Sequence, residues 1–147
     1  MEIDELGSAI GILRGRLGNL YARASELSKK HLEYVMAENK NRTWEEKSVL
    51  FSRARTRDNS ITATWLEIRW YGSKALKTRR MVQRVIVKPK SGYGYKLEVL
   101  LKLARHWEAD MVREVERELT TIRREAQFVA KAIGLLNKAS KTKGESE

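Results

Sequence analysis

The chain contains no cysteine, which removes disulfide staples, thiolate nucleophiles and thiolate metal sites together. Their absence suits a reducing compartment. Histidine is nearly as scarce: His31 and His106 are the two in 147 residues, and neither stands in a His-x-His or His-Glu-x-x-His spacing. Both are expected to be packed, partly buried side chains rather than metal ligands or general bases. No apolar run approaches the roughly 18 residues of a membrane span. The opening "MEIDELGSAIG" is acidic where a signal peptide is basic, so the expectation is a cytoplasmic protein without a membrane partner. The triplet Asn41-Arg42-Thr43 is then a chance match to a glycosylation acceptor in a polar loop.

Other catalytic signatures are missing as well. Glu108, Asp110, Glu114, Glu116 and Glu118 crowd one stretch, but Arg105, Arg113, Arg117, Arg123 and Arg124 interleave with them at helical steps. That pattern predicts a solvated ion-pair face rather than a Mg²⁺ site. "SGYGY" at 91–95 lacks both the Lys-Ser/Thr ending of a phosphate-cradling loop and the GxGxxG spacing, so it reads as a turn. The expectation is no enzyme, no cofactor and no metal.

Charge is abundant, and it is placed. The net charge is +11, and residues 40–96 carry all of it: fifteen Lys and Arg stand there against Glu45, Glu46, Asp58 and Glu67. The flanks on either side sum to zero. A basic block between neutral flanks points to a polyanionic partner, with nucleic acid foremost.

The flanks read as helices. Ile3, Leu6, Ile10, Leu13, Leu17, Leu20, Ala24 and Leu27, continued by His31 and Tyr34, recur at steps of three and four, predicting a helix over 2–39. Gly7, Gly11, Gly15 and Gly18 interrupt it, each costing up to about 1 kcal/mol if exposed, and suggest close approach by another helix. Between 47 and 88 the period becomes two, and β-branched and aromatic residues predict three strands. Asp58-Asn59 supplies the first turn, which sets Arg57 opposite Ser60, Arg55 opposite Thr62, Arg53 opposite Thr64 and Phe51 opposite Leu66. Pro89, the single proline, closes the third strand. Ser91 is the candidate cap of a second long helix over 93–138, whose apolar residues run from Leu97 to Leu136.

The fold class is therefore α+β. One α-βββ-α domain over 1–139 is expected, with a basic β-meander over 44–90 and a disordered tail over 140–147. The helices should form an antiparallel coiled-coil-like hairpin with the sheet across one end. Excess apolar surface around Phe128, Val129, Ile133 and Leu136 predicts a homodimer contact.

The candidate nucleic-acid site follows from the meander. Arg53, Arg55 and Arg57 alternate along one strand face about 7 Å apart, near the spacing of phosphates on a DNA strand. With Thr62 and Thr64 they are assigned groove contacts to double-stranded DNA. Lys74, Lys77, Arg79, Arg80, Arg84, Lys88 and Lys90 are assigned phosphate contacts, and Arg69 joins the nucleic-acid-binding set. Of the tryptophans, Trp70 and Trp107 fit a core pattern, whereas Trp65, opposite Ser52, is left between covering a helix and being exposed for stacking.

This order of elements, with "TWLEIRWYG" in the basic meander, resembles the MobI-type auxiliary proteins of conjugative plasmids and integrative conjugative elements. The resemblance implies a bacterial protein of a mobile genetic element that helps process the origin of transfer within a relaxosome, beside a separate relaxase or other transfer protein. Independently of it, the missing His-hydrophobic-His cluster argues against this chain being a metal-dependent relaxase. Two other readings stay open: an RNA or single-strand binder using exposed aromatics, and a mobile-element adaptor or inhibitor that binds an acidic host protein.

Overall fold

The computed structural model describes residues 4–145, with side chains through residue 141. The elements run α1 (Glu5–Asn39), β1 (Leu50–Arg57), β2 (Ser60–Tyr71), β3 (Arg80–Val85), α2 (Leu97–Leu103) and α3 (Ala109–Glu145). The strands form one antiparallel sheet in the order β1-β2-β3. The class is α+β, as the change of hydrophobic period implied.

Helix α1 starts where Asp4 Oδ1 accepts a hydrogen bond from the Gly7 backbone N–H at 2.9 Å, an N-cap worth about 1 kcal/mol. It buries Ile10, Leu17, Leu20, Ala24, Leu27, His31 and Val35, which follows the predicted seam, with Leu13 and Tyr34 half-buried and Val35 taking the last buried position. Opposite them lie Val112, Val115, Leu119, Ile122, Ala126 and Ile133 of α3. The cross-pairs fix the direction: Arg16 meets Glu125, Arg23 meets Glu118 at 2.9 Å, and Lys30 meets Glu114 at 3.6 Å. As one number rises the other falls, so α1 and α3 are antiparallel.

The sheet lies along this pair rather than across its end. Ser28 Oγ is 2.8 Å from Ser52 Oγ, the His31 ring meets the Trp65 ring edge-on at 5.5 Å, and the hairpin tip at 56–59 shares a cleft with Arg14, Leu17, Gly18 and Tyr21. The hairpin thus runs back over α1. Its register matches the expected one residue for residue: Arg57 with Ser60, Arg55 with Thr62, Arg53 with Thr64 and Phe51 with Leu66. Asp58 takes the positive φ of 54° that the tight turn requires.

Several expectations are corrected. The second helix is broken, because Ala104 is extended (ψ 140°) and α3 begins anew at Ala109. Between them the Glu108 carboxylate accepts from the Arg105 backbone N–H at 3.0 Å, a side-chain cap that no proline or glycine announces. Ser91 caps nothing, since α2 starts after Lys96 without a side-chain cap. Helix α3 continues through Glu145, where the tail was expected to be disordered; 146–147, like 1–3, lie outside the described residues. The third strand ends at Val85, one residue before Ile86 donates its N–H to the Trp65 carbonyl at 2.9 Å. Gly11, Gly15 and Gly18 do not admit a neighbouring helix, as a Cβ on any of them would meet nothing within 4 Å.

Candidate nucleic-acid interface

Alternation along the strands sorts their side chains onto two faces. Leu50, Ser52, Ala63 and Trp65 point to the helices and are buried. Arg53, Arg55 and Arg57, with Ser60, Thr62 and Thr64 across from them, point away. Arg55 and Arg57 are exposed, while Arg53 is half-buried and its Nε has no hydrogen-bond partner. Below this charged half, Phe51, Leu66 and Ile68 continue the same face as an apolar layer in which Leu66 is 1% exposed. A one-residue slip would turn Leu50, Ala63 and Trp65 away from the helices, so their burial pins the arginines outward.

The remaining predicted residues do not all join them. Arg69, Arg80 and Arg84 lie on the other face, where Arg84 is the cross-strand partner of Glu67 and Arg80 that of Tyr71. Arg69 Nε donates to Glu67 Oε1 at 2.7 Å, and this bond raises the guanidinium pKa above its ordinary value. Lys74 and Lys77 are exposed in the loop 72–79, which Gly72 enters with a φ of 82°. Arg79 stacks on Trp44 and Trp70. Lys88 Nζ donates to the Pro89 carbonyl at 2.7 Å and the Gly92 carbonyl at 3.2 Å. Beyond the end of β3, Lys88 and Lys90 line a cleft of about 420 Å³ with Thr62, Thr64 and Arg123. The structure therefore gathers the three hairpin arginines, the two threonines and this lysine pair, and separates Arg69, Arg80 and Arg84 from them.

Pairing of charge follows composition only in part: Arg42, within the basic stretch, pairs with Glu38 and Glu46, and Arg14, Arg117, Arg124 and Lys131 of the helices have no carboxylate partner among the described residues. On the helices, Arg16, Arg23, Lys29, Lys30, Arg113 and Arg123 all have carboxylate partners. Among the predicted cationic residues, Arg69 alone has one within the described residues. Exposed cations without counter-charges keep their field available to an incoming polyanion.

A buried polar network holds the sheet to the helices. Glu116 accepts from Trp65 Nε1 (2.8 Å), the Tyr95 backbone N–H (2.7 Å) and two nitrogens of Arg123 (2.8 and 3.0 Å). Arg123 Nε in turn donates to the Ala63 carbonyl at 2.9 Å, on the open edge of β2. Tyr95 Oη accepts from the Trp65 backbone N–H at 3.2 Å, and burial pushes the Tyr95 phenol above its ordinary pKa. A second node joins His31 Nε2 to Glu108 Oε1 at 2.8 Å, with Ser48 Oγ donating to the same oxygen at 2.9 Å.

These nodes revise the reading of several residues. Glu108 and Glu116 are 0% and 2% exposed, so they are not part of a solvated face; Glu114 and Glu118 bridge to α1, and Asp110 is fully exposed. His31 is packed as expected, whereas His106 is exposed rather than partly buried. Trp65 covers the helices and is fully buried, while Trp70, expected in the core, is 46% exposed. The role of Trp70 with Trp44 had no signal in periodicity, because Trp44 lies outside any strand, in a single 3-10 turn. Among the described residues no helix is long and apolar enough to cross a membrane.

The family model described as MobI protein matches residues 20–137, which takes in the second half of α1, the whole sheet, the buried network and most of α3. No curated protein and no solved structure matches the chain. With the match covering most of its length, the chain belongs to the MobI family of mobilisation-related plasmid proteins.

Proposed function

We propose that this protein is a non-enzymatic binder of double-stranded DNA that acts in the cytoplasm at the origin of transfer, as an auxiliary factor for a relaxase or another transfer protein. One observation carries the reading: Arg53, Arg55 and Arg57 project from the sheet face turned away from the helices, in register with Thr64, Thr62 and Ser60, without a carboxylate partner among the described residues. A two-stranded ribbon is narrow enough for a major groove, and a guanidinium has the donor pair that guanine N7 and O6 accept. Lys88 and Lys90, beside the threonines, and Lys74 and Lys77 on their loop are suited to phosphates, which set orientation without reading sequence. The family membership agrees with a role in plasmid mobilisation.

The reading includes a homodimer. Phe128 and Leu135 of α3 and Ile12 of α1 remain exposed on the helical pair. Apolar side chains in that position are suited to a second copy.

The test is titration of labelled duplex from the transfer-origin region at several salt concentrations. With about six phosphates neutralised, log K against log salt falls with a slope near −5. The Arg53→Ala/Arg55→Ala variant loses discrimination between that duplex and an unrelated one, and Lys74→Ala/Lys77→Ala weakens both alike. An affinity indifferent to salt overturns the reading.

A further inference from the structure

At the end of the outward face opposite the arginine tip, two indoles enclose a guanidinium. Trp70 is the last outward residue of β2, and Trp44 reaches it from the 3-10 turn, with ring centroids 5.4 Å apart and planes tilted by 55°. The Arg79 guanidinium carbon lies 3.7 Å from the centre of the Trp44 ring and 4.7 Å from that of Trp70. Arg79 makes no ion pair or side-chain hydrogen bond among the described residues, so its donors are unfilled while its plane is already oriented. Both indoles are about half exposed. Beside them opens a cleft of about 460 Å³, lined by Trp44, Trp70, Val49 and Ile68 and rimmed by Lys47 and Glu45.

We infer that this cleft is a site for one unpaired nucleotide of DNA, its base stacked on an indole and its phosphate held by Arg79. Three properties select that ligand. The half-exposed ring faces offer stacking to a flat aromatic group, and a base inside a duplex has no free face to offer in return. The guanidinium presents a fork of donors beside the rings, which suits a phosphate oxygen pair. The cleft volume falls in the range of small-ligand sites, and its lining combines Trp44, Trp70, Val49 and Ile68 with the polar Asn39, Ser48, Lys47 and Arg105. Lys47, whose ammonium lies 5.8 Å from the Trp44 ring centre, adds a second cation for the backbone.

The inference rests on the duplex-binding reading and gives it a geometry. Trp70 lies six residues along β2 from Thr64, about 20 Å at 3.3–3.4 Å per residue, on the same face. A duplex seated on the arginine tip and an unpaired strand seated on the indoles fit a junction between the two.

The experiment compares three labelled probes with the full chain at one salt concentration: a blunt duplex, the same duplex with a single-stranded extension of about eight nucleotides, and the single strand alone. The wild type binds the extended duplex at least about fivefold more tightly than the blunt one, the effect of roughly one stacked base. Trp44→Ala/Trp70→Ala abolishes that preference and leaves blunt-duplex affinity unchanged. If this variant does not fold, Trp70→Ala alone, read against Trp70→Phe, which keeps a stacking face, makes the same comparison. Equal binding of blunt and extended duplex by the wild type overturns the inference and leaves the duplex reading standing. Binding of the single strand without the duplex supports the inference and overturns that reading, and binding of no probe overturns both.

Discussion

Glu116 is where the fold is most exposed to a single substitution. Its carboxylate is 3% exposed and its partner Arg123 is 7% exposed, and it also accepts from the Trp65 indole, the Tyr95 backbone and the Thr120 hydroxyl. Glu116→Ala removes the counter-charge and leaves the guanidinium buried with neutral partners alone, the Ala63 and Tyr93 carbonyls at 2.9 Å each and the Thr120 hydroxyl at 3.5 Å. Breaking one side of a buried pair costs about 3–5 kcal/mol, since the surviving charge keeps its desolvation penalty. The orphaned indole N–H adds to this without summing fully, as it can recruit water through the vacated space. Set against a total stability of about 5–15 kcal/mol, the loss is a large part of the whole. Equilibrium unfolding in urea, followed by circular dichroism, measures it, with an unchanged slope showing that the denatured state is the same. Glu118→Ala is the control: it removes the Arg23 pair at 2.9 Å on the exposed side of the same helix and costs no more than about 1 kcal/mol. If Glu116→Ala does not fold, Glu116→Gln keeps the shape, loses the charge and remains measurable. A loss equal to that of Glu118→Ala refutes the argument that this network ties sheet to helices.

Three further outcomes test other parts of the structure. Gly72→Ala puts a Cβ 2.2 Å from the Thr78 carbonyl oxygen at a positive φ, and so destabilises by about 1–3 kcal/mol in urea unfolding, with faster amide exchange across 72–79. Tyr95, whose phenol burial raises above 10, contributes stability in full below that value, and this is lost as pH rises through its native pKa. The difference between alkaline ultraviolet titrations of the wild type and Tyr95→Phe reads a phenol ionising above the ordinary tyrosine value, and the substitution flattens that part of the stability profile. Glu125 is held below the usual carboxylate range by its hydrogen bond to Arg16, so its small contribution is present near neutrality and fades as pH falls through the depressed value. Acid unfolding of Glu125→Gln, compared with the wild type, reads the difference; equal curves through that window remove the pair from the account.

Most of the framework was legible in the chain because it depends on local regularities. The seam from Ile10 to Val35 follows helical steps, and the hairpin register follows from Asp58-Asn59 together with the alternation of Val49, Phe51, Leu66 and Ile68. The hairpin arginines were legible for the same reason, since a two-residue period sends them to one face. The break between α2 and α3 was not, because its cap is the Glu108 side chain, and nothing in the sequence marks that carboxylate as different from Glu114. Alternation says that Trp65 and Trp70 face opposite ways, but not which face the helices take: Trp70, expected in the core, is half exposed, and Trp65, left open between the two, is buried.

The sequence by itself determined that a surplus of +11 sits on a three-stranded meander between two charge-balanced helices, and that three arginines share one strand face. Those properties need only counting and the periods of backbone geometry. Tertiary structure decided that the sheet lies along the helical pair, that Arg80 and Arg84 turn to the other face beside Arg69, and that Glu108 and Glu116 are buried while Trp44, Trp70 and Arg79 gather outside. Each of these depends on which distant residue comes to stand beside which, and a single chain of letters records only neighbours in sequence.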